Sequence, residues 1–194
     1  MSTDAFGAHP RRWRFLAFLA VVTLSLAGAG GAGRAAEPAG ETSTAGIPMA
    51  AEPRPVAVDH IYFADRNGRY LQAEERFFTG PERGPERGRT IVEALIKGPK
   101  TGLMRTLPAG TRLRGFYLAS GNRAYVDFSE SIAEQHPGGC RTELLTLYSI
   151  VNSLVLNMPE VSTVKILVGG RDVSTLAGHI DIRQTFTADM SLIR

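Results

Sequence analysis

Cysteine is nearly absent from this chain of 194 residues, in which Cys140 is the only one. A single thiol excludes a disulfide within the chain and any zinc site built from cysteines. Such scarcity of thiols is compatible with export from the cytoplasm. Tryptophan also occurs once, as Trp13 in the N-terminal segment.

The body of the chain also lacks an excess of charge of either sign. The sequence has 22 Lys and Arg against 19 Asp and Glu, but the excess lies before residue 36, where Arg11, Arg12, Arg14 and Arg34 face only Asp4. The remainder holds 18 bases and 18 acids. A neutral body lacks the basic footprint with which nucleic-acid-binding domains contact phosphates, so we expect no nucleic-acid partner.

A third feature that the sequence lacks is an apolar run of the roughly 20 residues needed to span a membrane comfortably. The strongest run, residues 15–27, has 13 residues, and the small residues through Gly33 extend it to 19. Three arginines precede it, an order typical of a secretory signal. We predict that residues 1–36 are a signal peptide or, alternatively, an uncleaved anchor that holds residues 15–33 in the membrane.

The predicted N-terminal signal or anchor, residues 1–36 and called the leader below, determines where we expect the protein to be located. Ala29 stands where a lipoprotein signal would carry its acylated cysteine, so we do not expect a lipoprotein. We expect an exported, periplasmic or otherwise extracytoplasmic protein. Residues 37–55 are rich in Ala, Pro, Gly, Glu and Thr, which cannot bury enough surface to offset ordering entropy, and are predicted to be a disordered linker. Residues 56–187 are predicted to be the folded domain and residues 188–194 a C-terminal tail.

Residue patterns after position 55 predict alternating pairs of strands and single helices. Turn residues Asn67-Gly68 and 120–122 predict two hairpins, residues 56–63 with 70–79 and residues 112–119 with 123–128. Between them, the duplicated Pro-Glu-Arg-Gly of residues 81–88 is interpreted as an exposed loop.

The remaining elements complete an α+β pattern. A short helix is predicted at 91–97, with Thr90 and Glu93 as its capping box, and a longer one follows an apolar stripe from Leu144 to Met158. Residues 164–168 and 179–186 are predicted strands. The order β-β-α-β-β-α-β-β predicts a two-layer α+β sandwich, a mainly antiparallel sheet with two helices on one face.

Several of these segments, read in order, carry a family resemblance. They are IYF at 61–63, IVEALIKGP at 91–99, LPAGT at 107–111, AYVDFS at 124–129, ELLTLYSIVNSL at 143–154, VKILVGG at 164–170 and GHID at 178–181. Together they resemble the GerMN domain of bacterial sporulation and envelope proteins. The resemblance implies an extracytoplasmic, ring-building-motif-like α/β module for protein assembly or envelope binding, without an established catalytic centre.

Four polar residues are candidate interaction residues. Asp127 and Ser129 stand at a predicted strand end, where such side chains more often cap the next turn than contact a ligand. His179 and Asp181 alternate onto one side of the predicted last strand, where we expect a hydrogen-bonded pair rather than part of a metal site. No residue is predicted to be catalytic, to bind a cofactor or to ligate a metal.

Two functional hypotheses remain open at the level of sequence. The first is a non-catalytic module that binds an envelope protein or peptidoglycan, with homo-oligomers as an option because strand edges can pair between copies. The second is a peptidoglycan hydrolase or metal-dependent envelope enzyme. Its nearest nucleophile–base pair would be Cys140 with His136 or His179. We favour the first and expect no enzymatic activity.

Overall fold

A computed structural model describes residues 56–194, so the predicted leader and linker, residues 1–36 and 37–55, lie outside the described residues. Its elements are β1 (Val56–Ala64), β2 (Leu71–Thr79), α1 (Pro85–Lys97), β3 (Leu113–Ala119), β4 (Arg123–Phe128), α2 (Ser131–Glu134), α3 (Cys140–Val155), β5 (Thr163–Val168) and a 3₁₀-helix (Met190–Leu192). None of the helices in this range has both the length and the apolar character to cross a membrane.

The strands form two small sheets, and α1 and α3 are the two main helices, so the predicted α+β fold is confirmed. β1 and β2 pair antiparallel in one sheet, and β3, β4 and β5 follow in that order in the other. β5 runs parallel to β4 because the chain crosses over through α3 before it returns to the sheet. The sequence predicted both hairpins but not the division into two sheets.

Helices α1 and α3 cover the inner face of the three-stranded sheet. That face presents Phe116, Val126, Phe128 and Ile166, all at most 1% exposed. The predicted apolar stripe of α3 packs here, because Leu147, Val151, Leu154 and Met158 belong to the same buried cluster. Burying such side chains contributes roughly 1.5–3 kcal/mol each, which makes this layer the main core of the domain.

The opposite side of α3 is polar and holds the edge of β1. Ser153 Oγ accepts a hydrogen bond from Tyr62 N at 3.0 Å. Asn157, just beyond the helix, accepts from His60 N at 2.9 Å and donates to His60 O at 2.8 Å. These side chains satisfy backbone groups that a neighbouring strand would otherwise pair. The helix therefore closes the two-stranded sheet on one side and joins it to the core.

Helix α1 begins earlier than predicted, and the predicted capping box is wrong. Pro85 occupies the first turn, where its missing N–H costs nothing, and Thr90 Oγ1 donates to Glu86 O within the helix. The second Pro-Glu-Arg-Gly copy is consequently helical rather than an exposed loop. Its Arg87 is buried and paired with buried Asp59 of β1, so tertiary burial determined where the helix starts.

The predicted last strand, residues 179–186, is also wrong, since only Phe186 forms a bridge, with Val164 of β5. Lys165 of β5 is buried and hydrogen-bonds to two backbone carbonyls of this segment. Its Nζ donates to Ile182 O at 3.1 Å and to Arg183 O at 2.5 Å. The segment thus bonds to a side chain instead of a strand ladder. An apolar–polar alternation does not reveal such a partner.

The close packing of α1 on β3 generates a stability prediction. A methyl group at Gly88 would lie 2.1–2.6 Å from ring atoms of buried Phe116. Contacts this close place the cost of overpacking at about 2–3 kcal/mol, the upper part of its usual range, and the gain in helix propensity offsets about 1 kcal/mol of it. Gly88→Ala should therefore destabilise the protein by about 1–2 kcal/mol. Chemical denaturation of the purified protein measures the change.

Gly102→Ala is the matched control, since its added methyl group would meet only the end of the exposed Arg66 side chain. We expect a change within about 0.5 kcal/mol there. Equal unfolding free energies for the Gly88→Ala variant and the wild type would contradict the packing argument.

Candidate functional site

A fully buried carboxylate, Glu143, holds the loop that contains two of the predicted site residues. Its Oε1 accepts from Leu176 N at 2.9 Å and Ala177 N at 3.1 Å, and its Oε2 accepts from His179 N at 2.9 Å. Burial raises the pKa of Glu143, but the backbone donors together lower it more, so its pKa lies below the ordinary value. Glu143 is therefore structural, and sequence reasoning missed it because its partners are backbone groups.

The structure separates His179 from Asp181, so the predicted hydrogen-bonded pair is wrong. His179 Nδ1 lies 3.3 Å from Glu143 Oε2. Asp181 instead accepts from Arg183 through both carboxylate oxygens, and this partner lowers the pKa of Asp181 to about 2. Without a strand, the alternation that placed both residues on one side no longer applies. Whether either residue contacts a partner remains a prediction.

Asp127 and Ser129 brace the ends of strands. Asp127 Oδ1 accepts from Gly170 N at 2.7 Å, and its Oδ2 accepts from Arg114 Nε at 3.1 Å. Ser129 Oγ accepts from Arg112 N at 3.0 Å. Asp127 thus supports the turn after β5 and not the next turn in the chain, so the expectation that it caps the next turn is wrong. Both side chains lie beside exposed arginines.

The candidate nucleophile and base of the enzyme hypothesis are not bonded to each other. His136 Nδ1 accepts from Gly138 N at 3.1 Å, and His136 Nε2 lies 3.0 Å from Thr146 Oγ1. Burial lowers the pKa of His136. Exposed Cys140 has no bond to either ring nitrogen, since both have other partners. Within residues 56–194, no three His, Cys, Asp or Glu side chains come together to hold a metal ion.

Two open polar depressions lie beside the hairpin of β1 and β2. The larger, of 530 Å³, is formed by the hairpin turn and the loop at 101–103. The smaller, of 320 Å³, lies over the buried Asp59–Arg87 pair. Burial raises the pKa of Asp59 against the opposing effect of Arg87. Neither depression gathers a nucleophile and a base.

The side of the three-stranded sheet that faces away from α1 and α3 is called here the outer sheet face. Strand alternation and register place on it Gly115 and Tyr117 of β3, Arg123, Tyr125 and Asp127 of β4, and Lys165 and Leu167 of β5, with Arg114 at the β3 bulge. Tyr117 is 56% exposed and Tyr125 is half-buried. The alternation around Phe116 and Val126 was a usable signal that sequence reasoning overlooked.

The bonds of Glu143 generate a prediction for loop stability. Glu143→Gln should cost about 2–3 kcal/mol, because it removes a charged acceptor and turns an amide donor toward backbone N–H groups. A lowered pKa in the folded state means that the carboxylate stabilises the fold fully above its ordinary pKa of about 4.3. That contribution is lost as pH falls through the lower folded value.

The free energy of unfolding measured between pH 3 and 7 tests this expectation. The variant should show a smaller loss of stability in acid than the wild type, and exposed Glu134→Gln, the control, should match the wild type. An unchanged pH profile for the Glu143→Gln variant would contradict the assigned role of Glu143.

The fold and sequence are similar to those of known proteins. The family model described as "Germane: Sporulation and spore germination" matches residues 60–174. A predicted lipoprotein from Clostridium perfringens is 25% identical, with a TM-score of 0.50 over 68% of this chain and 87% of that one.

Two GerM structures from Bacillus subtilis share the fold. The tandem GerMN domains are 17% identical with a TM-score of 0.57, over 69% of this chain and 46% of that one. The first GerMN domain alone is 14% identical with a TM-score of 0.52, over 70% and 98%. Among curated proteins, none matches the chain by sequence. Because the family model covers more than half of the sequence, this chain belongs to the Germane, or GerMN, family of sporulation and spore-germination domains.

Proposed function

We propose that this chain is an exported, non-catalytic module that binds a component of the cell envelope, either another protein or peptidoglycan. The observation that carries the proposal is the outer sheet face, where the ring of Tyr117 is 56% exposed beside half-buried Tyr125. Exposed aromatic residues with polar surroundings are characteristic of binding surfaces.

The groups that would serve catalysis have structural partners instead. Glu143 accepts backbone bonds, Asp127 supports the Gly169-Gly170 turn, and both nitrogens of His136 have partners. A nucleophile needs a base to activate it, and within residues 56–194 no hydrogen bond joins the exposed Cys140 thiol to a base. This arrangement favours binding over the alternative, a peptidoglycan-modifying hydrolase or metal-dependent enzyme.

The family and the leader together support an extracytoplasmic location. The relative from Clostridium perfringens is a predicted lipoprotein. In this chain, attachment would instead come from residues 15–33, if that segment is retained as an anchor, with residues 37–55 as the tether. Export would bring the domain within reach of wall polymers and envelope proteins.

Binding to purified sacculi and to envelope proteins tests the proposal. The full-length chain, purified in detergent, should co-sediment with sacculi or recover a specific envelope protein after cross-linking in cells. Retention by neither would overturn the binding role.

An activity assay separates the module from the alternative enzyme. We expect no fragments from labelled peptidoglycan, with or without a chelator, because Cys140 and His136 are not paired. Release of fragments that is lost on Cys140→Ala or on chelation would establish the enzyme instead.

A further inference from the structure

The Tyr117 ring lies along the outer sheet face over Gly115. A methyl group at Gly115 would fall 2.4 Å from Tyr117 Oη, 2.6 Å from Cε2 and 2.7 Å from Cζ. The absence of a side chain at 115 therefore makes room for the ring. One side of Tyr117 is supported by the sheet, and the 56% exposure shows that much of the ring remains accessible.

A second aromatic ring stands beside the first. Tyr125 is the register partner of Tyr117 across β3 and β4, and such partners have Cβ atoms about 5 Å apart. The two rings do not form an aromatic pair with each other, since the one aromatic pair within residues 56–194 is the edge-to-face pair of Tyr148 and Phe186. The two phenol rings thus provide adjacent, separate surfaces on one sheet face.

The charge around the two rings is positive. Asp127 and Asp172 are each paired, with Arg114 and Lys165 respectively. Arg123, whose Nη1 lies 3.4 Å from Tyr125 Oη, has no carboxylate within 4 Å among the described residues. Guanidinium groups bind carboxylates through charge-assisted hydrogen bonds.

Basic side chains also outnumber acidic ones at the end of the outer sheet face where Asp127 Oδ1 accepts from Gly170 N. Arg112 and Arg171 lie there without an ion pair within residues 56–194. Glu130, beside Gly169, is the acid that partly offsets them. This face thus accounts for the small basic excess of residues 56–194, which hold 17 Lys and Arg against 15 Asp and Glu.

We propose that the outer sheet face binds stretches of wall glycan whose carboxylates are not amide-bonded to stem peptides, with sugar rings on Tyr117 and Tyr125 and these carboxylates at Arg123 and the arginines at the end of the face. The proposal rests on the envelope-binding function and adds the ligand class and the site. A pyranose ring presents a flat C–H surface that packs on an aromatic ring, while its hydroxyl groups stay at the edge. Two flat rings on an open sheet can each support one of two successive sugars. A side chain of a protein partner would instead need a pocket in which to be buried.

The exposed pair on the other sheet has a different character. Val58 and Phe77 are register partners, and beside them His60 Nε2 lies 3.8 Å from Glu75 Oε1. That surface lacks a cationic excess, which makes Phe77→Ala a matched control that removes an exposed aromatic ring, 67% exposed against 56% for Tyr117.

Co-sedimentation with sacculi tests the site. The full-length protein in detergent is compared with the Tyr117→Ala/Tyr125→Ala, Gly115→Ala and Phe77→Ala variants, and thermal unfolding confirms that each is folded. The double variant should bind at least about tenfold more weakly, a loss of about 1.4 kcal/mol. Gly115→Ala should weaken binding several-fold because its methyl group displaces the Tyr117 ring, and Phe77→Ala should bind as the wild type does.

The ligand class is tested with glycan strands from which an amidase has removed the stem peptides, and with the free stem peptides. Retention of the wild type by the stripped strands, and a weaker salt dependence for Arg123→Gln, are the expected results. Binding to the peptides alone would overturn the glycan assignment.

The outcomes also separate this site from the general function. Equal binding of sacculi by the Tyr variants and the wild type would reject the outer sheet face and leave envelope binding intact. No binding to sacculi, with a specific protein recovered by cross-linking, would reject the glycan but not the module. Self-association lost with the Tyr variants would assign the face to a second copy of the chain.

Discussion

Helix α3 is the element on which the rest of the domain depends, because both of its sides are buried against different partners. Its apolar side completes the core under β3, β4 and β5. Its polar side supplies Ser153 and, just after the helix, Asn157 to the backbone of β1. Buried backbone groups must be paired, so an ordinary apolar helix could not occupy this position. The two sheets share one domain because this helix hydrogen-bonds to the edge of one sheet and completes the hydrophobic core of the other.

Buried charges organise the loops around that helix. Glu143, in the first turn of α3, collects backbone N–H groups of the 176–179 loop, and Lys165 collects backbone carbonyls of residues 182 and 183. Buried charges are costly unless they are paired and fully hydrogen-bonded. Glu143 is hydrogen-bonded by backbone donors, and Lys165 has Asp172 as its charged partner besides the two carbonyls, which explains why the C-terminal segment follows these side chains instead of adding a strand. Much of the charge in this domain is thereby committed to structure.

The outer sheet face carries aromatic and cationic side chains, among them Tyr117, Tyr125 and Arg123, that the core does not use. The inner residues of β3 and β4 are needed for the core, so alternation leaves their outward positions free of a packing role. Two of these outward positions fit each other, because Gly115 has no side chain and the ring of Tyr117 lies in the space that one would occupy. A surface that the scaffold does not need is well placed to carry binding.

The sequence by itself determined the local elements and the family. Asn67-Gly68 and the 120–122 turn identified both hairpins, the apolar stripe identified α3, and the ordered motifs identified the GerMN domain. Only tertiary structure decided the start of α1, the fate of residues 179–186 and the partners of His179 and Asp181. Those outcomes depend on Arg87, Lys165 and Glu143, whose partners are distant in sequence. Periodicity in the sequence indicates which side of an element is buried. It does not indicate the partner of a buried charge, because that partner is brought close only by the tertiary structure.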